Sequence, residues 1–264
     1  MIGRRRAIGL LPAAGRGRRF GAAGPKELAS LDGQRSVPIC HFALAAMRAA
    51  GVQRVVVVVS PGKPEIRRAL GSGEELGLEL SYVVQPVPRG LPDVVRCARA
   101  ALDDDDVLFA MPDTVFHPHE ALDVVLRRLQ ERAADLWLGV FPTDAPTQLA
   151  PVELDDLGRV RALHDKPPAT GLRNTWGVLA WSSRFSDLCC EHEARPRDEG
   201  ESKLTSVMEE ARARGLAVGA QWFSRGWFCD GGTPEGLARA RALWSGREPA
   251  PGGACAPRPP GRVG

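Results

Sequence analysis

The chain has 264 residues, 44% hydrophobic and 25% charged, and its 35 basic side chains are nearly matched by 32 acidic ones for a net charge of +3. That is an ordinary globular composition with enough chain to bury a core. The charge balance excludes a general nucleic-acid binder and leaves room only for a local basic patch. Six cysteines (40, 97, 189, 190, 229 and 255) show neither CxxC pairs nor metal-ligand spacing, which argues against a disulfide framework or zinc site and points to a reducing cytoplasm. No stretch approaches the roughly 18 apolar residues of a membrane span.

In chain order, Ala7 to Ala13 reads as a buried strand. The basic start before it (MIGRRR) has too short an apolar continuation for a signal segment and runs directly into a glycine loop. A helix is expected over 36–50, ended by Gly51. The run VVVVV at 55–59 fits a strand covered on both faces. PEIRRAL starts a helix with Pro64 in its first turn. LELSYVV reads as a strand, LPDVVRCARAAL as a helix, VLFAMPD (107–113) as a strand, HEALDVVLRRLQERAA as a helix and DLWLGVF as a strand. This alternation predicts an α/β fold, a mainly parallel sheet with helices on both faces.

After residue 142 the rhythm changes. VELDDLGRVRALHDK reads as a hairpin turning around Asp155 to Gly158. TWGVLAW is a strand, KLTSVMEEARARG a helix, AVGAQWF a strand and PEGLARARALW a last helix. The expected organisation is a single domain over 1–246 with a β insertion in its second half. Residues 247–264, rich in proline and glycine, are expected to be a disordered tail. Asp103 to Asp106 precede their strand and read as a solvated loop, and His117 and His119 as loop residues near a helix start.

The segment from Gly15 to Lys26 holds four glycines and four basic residues (Arg16, Arg18, Arg19, Lys26) directly after the first strand. In an open parallel sheet, ligands sit beyond the carboxyl ends of the strands. Backbone N–H groups at Gly15 and Gly17 beside fixed positive charge suit a phosphate; a basic surface turn is the other reading. The spacing matches neither a P-loop nor GxGxxG.

Five segments in colinear order, spanning roughly residues 5–240, carry a resemblance. They are GRGRR (15–19) followed by PK (25–26), QPVPRGL (85–91), HDKP (164–167), GESKLT (200–205) and WFCDGGTPEGL (227–237). Together they resemble the sugar-1-phosphate nucleotidyltransferases, or nucleoside-diphosphate-sugar pyrophosphorylases, and among them are most similar to glucose-1-phosphate thymidylyltransferases. The resemblance implies a Rossmann-like three-layer sandwich of the glycosyltransferase-A-like type, with the β insertion on the sugar side. It implies transfer of a nucleotidyl group from a nucleoside triphosphate, dTTP or UTP, to a sugar-1-phosphate with release of pyrophosphate.

The resemblance also assigns residues. Arg19, Lys26 and Lys166 would be catalytic, neutralising the triphosphate and the sugar phosphate. Ala14, Gly15, Gly17, Gln85 and Gly90 would bind the nucleotide, Gln85 offering the base both a donor and an acceptor. Gly177, Glu201 and Asp165 would face the sugar. Asp113 and Asp230 would hold Mg²⁺, for which two carboxylates plus phosphate oxygens suffice; a turn or helix-cap aspartate is the plainer reading of each. The implied partners are the two substrates and a possible second copy of the chain, with no nucleic acid or membrane.

Three departures keep other readings open. The short loop PAAGRGRRF resembles the cytidylyltransferases that activate methylerythritol phosphate, so cytidylyl transfer to a non-sugar phosphate is an alternative. QLAPVEL stands where the family has Y-G-V-V-E, and DGGT where it has DTGT. Both alter the sugar side, so a catalytically silent, nucleotide-sugar-binding relative is the other.

Overall fold

Five successive valines can be kept from water only by a strand with covers on both sides. In the computed structural model, which describes residues 5–17, 20, 24–32, 37–196 and 200–245, Val55, Val57 and Val59 pack into one core cluster and Val56 and Val58 into a second. Full burial of side chains of this size contributes about 1.5–3 kcal/mol each. They belong to strand β2 (Arg54–Val59), paired in parallel with β1 (Ala7–Ala13) on one side. Helix α1 (Cys40–Ala49) joins the two, and α2 (Pro64–Leu70) leads on to β3 (Glu79–Val84). Helix α1 starts at Cys40 and not near residue 36 because Pro38 is drawn into a bridge with Ser30.

Helix α3 (Leu91–Leu102) returns the chain to β4 (Asp106–Ala110), which lies on the other side of β1. The strand order therefore reverses at β1, which makes the carboxyl ends of β1 and β4 the switch point of the sheet. β4 stops three residues before Asp113. There follow a short strand β5 (Thr114–His117), α4 (Ala121–Glu131), β6 (Leu136–Pro142), and the hairpin β7 (Val152–Leu154) with β8 (Val160–Leu163). The rest is β9 (Asn174–Trp181), α5 (Ser183–Ala194), α6 (Leu204–Ala213), β10 (Val218–Trp222), β11 (Trp227–Asp230) and α7 (Pro234–Trp244).

The seven-stranded sheet has the order β10-β6-β9-β4-β1-β2-β3, and only β9 runs against the others. Helices α1, α2, α4 and α7 cover one face and α3, α5 and α6 the other, giving the expected three-layer α/β sandwich. Helix α5 and the antiparallel ribbon of β5 with β11 are additions to the sequence reading. The acidic run 103–106 is in part a correction to it: Asp103 and Asp104 are exposed as expected, but Asp106 opens β4. Asp106 is 2% exposed and accepts from Gln130 at 2.9 Å, while Asp105 pairs with Arg54 at 2.8 Å, so both are drawn out of solvent by partners on neighbouring strands and helices. The expected tail, 247–264, lies outside the described residues. Among the described residues, no helix is long and apolar enough to cross a membrane.

Candidate active site

A cavity of about 390 Å³ opens at the carboxyl ends of the strands, between the loop after β1, the start of α3 and the end of the β7–β8 hairpin. Seven of the expected residues line it: Gly15, Lys26, Gln85, Gly90, Asp165, Lys166 and Glu201. Gly15 is exposed, and a Cβ there would meet nothing within 4 Å, so its backbone is open to a ligand. Gly17, at φ +62, turns the loop so that its carbonyl accepts from Phe20 N–H; neither it nor the buried Ala14 lines the cavity. Arg19 lies outside the described residues.

The two expected metal aspartates come together through the ribbon. Asp230 ends β11 in register with Thr114, the residue after Asp113, and Gly231 N–H donates to the Asp113 carbonyl at 2.7 Å. Asp113 is 2% exposed; its Oδ2 accepts from Lys26 Nζ at 2.5 Å and its Oδ1 is buried without a partner. Burial alone would lower the Lys26 pKa, but Asp113 beside it, with Glu27 and Asp230, outweighs burial and raises it, so the ammonium stays charged.

A Cβ built on Gly232 would sit 2.8 Å from both Asp113 Oδ2 and Asp230 Oδ1. Glycine thus leaves a small gap between two carboxylates, one of which has an unpartnered buried oxygen. Among the described residues no group of three or more His, Cys, Asp or Glu could hold a metal. A hard cation that takes two carboxylates and completes its shell with phosphate and water fits this donor set, as Mg²⁺ does.

One wall of the cavity is built by the start of α3 and the residues before it. Gln85 follows β3 directly, is 2% exposed, and donates Nε2 to Asp93 Oδ2 at 2.7 Å. Gly90 caps α3 at φ +109, where an added Cβ would come within 2.0 Å of the Ser202 carbonyl. Only glycine lets the 200–205 segment lie against residues 89–90, where Ser202 N–H donates to the Arg89 carbonyl at 2.7 Å. Ser202 Oγ also bonds Glu193. That docking brings Glu201 and Lys203 to the cavity.

On the other wall the hairpin pairing continues past β8. His164 N–H donates to Pro151 O at 3.0 Å and Lys166 N–H to Leu149 O at 2.9 Å. Lys166 is held at φ +44, a left-handed conformation costing a lysine about 1–2 kcal/mol. Asp165 is tied to Lys203 by a 2.6 Å ion pair.

Gly177 does not line the cavity. It is the residue skipped when the β6–β9 register shifts from Gly139–Val178 to Val140–Trp176, and a Cβ there would meet Phe228 at 2.4 Å. Without that bulge, the alternation of side chains would put Trp176 on the Val178 face; with it, Trp176 turns into the cavity.

Lys203, Trp176 and Glu27 are lining residues the sequence reading did not select. Glu27 is 1% exposed and pairs at 2.7 Å with Lys63, whose ammonium lies 3.3 Å from the Ala13 carbonyl and so braces the end of β1. One compositional signal was available: of 35 basic residues only four are lysines. Lys26, Lys166 and Lys203 line this cavity, and Lys63 holds Glu27 in its floor.

A sequence profile described as nucleotidyl transferase matches residues 10–245. The low-salt glycan biosynthesis nucleotidyltransferase of Haloferax volcanii is 27% identical over 223 residues, 83% of this chain and 60% of that protein. A glucose-1-phosphate thymidylyltransferase of Streptomyces antibioticus is 28% identical over 218 residues, 80% of this chain and 59% of that one. The chain thus spans about 60% of the length of these relatives. Two solved structures share the fold. A putative glucose-1-phosphate thymidylyltransferase from Bacillus anthracis has a TM-score of 0.81 at 19% identity, over 90% of this chain and 94% of its own. A UDP-glucose pyrophosphorylase complexed with UDP-glucose has a TM-score of 0.76 at 18% identity, over 92% and 100%.

Proposed function

Because the chain belongs to the nucleotidyl transferase family, we propose that it moves a nucleotidyl group from dTTP or UTP to a sugar-1-phosphate. The observation that carries this reading is the convergence of an open glycine loop and three lysines on one cavity, one of those lysines bonded to a glycine-spaced aspartate pair. An oxygen of the sugar-1-phosphate attacks the α-phosphorus, a new P–O bond forms, the bond to the β-phosphate breaks, and pyrophosphate leaves with the electron pair. Attack of one anion on another needs positioning and charge neutralisation more than covalent help.

The residues supply both. Gly15 offers backbone to the triphosphate and Lys26, which lines the same cavity, a charged ammonium. Lys166, held at a fixed backbone angle on the opposite wall, neutralises the incoming phosphate; a compact ammonium suits a single phosphate oxygen. Removing one such contact costs on the order of 10²–10³ in rate. Asp113 and Asp230 would hold Mg²⁺, which when bound supplies charge neutralisation at the phosphates. Asp165, Glu201 and Trp176 border the space left for the sugar.

The reverse reaction tests this. Protein, Mg²⁺ and pyrophosphate are mixed with UDP-, dTDP-, CDP- and GDP-linked sugars, and nucleoside triphosphate is followed. Formation of UTP or dTTP is expected. Turnover of CDP-linked compounds alone would overturn the base assignment, and tight binding with no turnover of any would make the protein a binding relative.

A further inference from the structure

Gln85 lines the cavity, yet its amide nitrogen is already committed. Nε2 donates to Asp93 Oδ2 at 2.7 Å and lies 3.4 Å from the Gly90 carbonyl. Asp93 is itself 2% exposed, and its Oδ1 accepts from both Nε and Nη2 of Arg96, at 2.8 and 2.7 Å. A carboxylate gripped by a guanidinium can only accept, so the amide atom facing it must be nitrogen. Both N–H groups of Gln85 then point toward the start of α3. What remains for a ligand is Oε1, an acceptor.

We propose that Asp93, braced by Arg96, is a positioning residue that fixes Gln85 as an acceptor and thereby selects uracil or thymine over cytosine. The N3 of uracil and thymine carries a proton; the N3 of cytosine is an acceptor. Two acceptors facing each other in a closed site lose a hydrogen bond and leave a desolvated oxygen unpaired. Free of Asp93, Gln85 could present either end of its amide. The inference rests on reading the cavity as a nucleotide site.

The test measures UTP and CTP binding by calorimetry, and KM and kcat with each, for the wild type, Asp93→Asn and Arg96→Gln. An asparagine keeps the volume but, with its oxygen held on Arg96, turns an N–H toward Gln85 in place of an acceptor, so the hold on the Gln85 nitrogen is lost. The wild type should favour UTP by at least about tenfold, the worth of one hydrogen bond. Asp93→Asn should lose most of that preference, in KM and not kcat, and Arg96→Gln part of it. An unfolded fraction lowers the capacity for both nucleotides equally, so the ratio survives a loss of stability. A wild type that favours CTP, or an Asp93→Asn variant that keeps the full preference, overturns the orientation lock alone. A wild type that binds neither nucleotide overturns it together with the proposed function.

Discussion

Gly232→Ala is the smallest change that addresses the carboxylate pair. The added methyl would stand 2.8 Å from Asp113 Oδ2 and from Asp230 Oδ1, and 3.5 Å from Lys26 Nζ. Gly232 is not among the positive-φ glycines, so an alanine backbone is unstrained there and any effect belongs to the methyl. Ordinary contact begins at 3.4 Å, so each oxygen must retreat by roughly 0.6 Å, or the turn must move outward by as much. Either exceeds the ~0.5 Å within which a working site holds its groups. Displacements of this order lower rates about 10²-fold. Stability moves less, because overpacking of about 1–3 kcal/mol is partly offset by about 0.4–1 kcal/mol from a less flexible unfolded chain. The assay is pyrophosphorolysis across a Mg²⁺ titration, with thermal midpoints alongside. A folded protein with kcat/KM down about 10²-fold and a higher half-saturating Mg²⁺ is expected. A wild-type rate with unchanged Mg²⁺ dependence would refute the assignment of Asp113 and Asp230 as the metal ligands.

Other substitutions probe the frame around it. Lys63→Met removes the ion-pair partner of Glu27, which is 1% exposed, so unfolding free energy in urea should fall by about 3–5 kcal/mol; a loss under about 1 kcal/mol would show that Lys63 does not brace β1. Gly90→Ala drives a methyl into the Ser202 carbonyl at 2.0 Å and should raise KM for both substrates at least about tenfold by undocking the 200–205 segment; unaltered KM values would count against that docking. His117 and His119 pack against Trp227, Phe42 and Trp244, and burial lowers both pKa values, with their mutual repulsion lowering that of His119 further. The unfolded chain therefore takes up protons first, near pH 6.5, so this contribution is complete above that value and declines as pH falls toward 5. His119→Gln should flatten the urea-derived stability profile between pH 5 and 7, and identical slopes for variant and wild type would contradict the reading.

Local signals made much of this molecule readable. Helices α3 and α7 occupy the expected residues, 91–102 and 234–244, because a proline near the first turn and a steady apolar face define each. The valine run announced a doubly covered strand. What escaped depends on partners distant in sequence. Neither TVFH nor WFCD is long enough to read as a strand alone; each becomes one only against the other, and that pairing sets Asp230 beside Asp113. Helix α5 interleaves polar residues with Phe185, Leu188 and Cys189, which are buried because α3, α6 and β9 pack against them. Gly177 was read as a sugar contact, although its glycine answers to Phe228 and to a shift in strand register. Gln85, read as a base contact, does line the cavity, but the direction of its amide is set by Asp93, whose role no pattern in LPDVVRCARAAL reveals.

The confinement of lysine to one cleft also gives the protein a simple chemical handle. Among the side chains, reagents that acylate or reductively alkylate amines have four targets, and three of them border the same 390 Å³ space. Modification at low reagent concentration, read by peptide mass, would report occupancy of that space through Lys166 and Lys203, while Lys26, kept charged by Asp113, would react last. By the same token, coupling to a resin or sensor surface through side-chain amines would turn the cleft toward the support, whereas arginine-directed attachment would scatter the protein over many orientations.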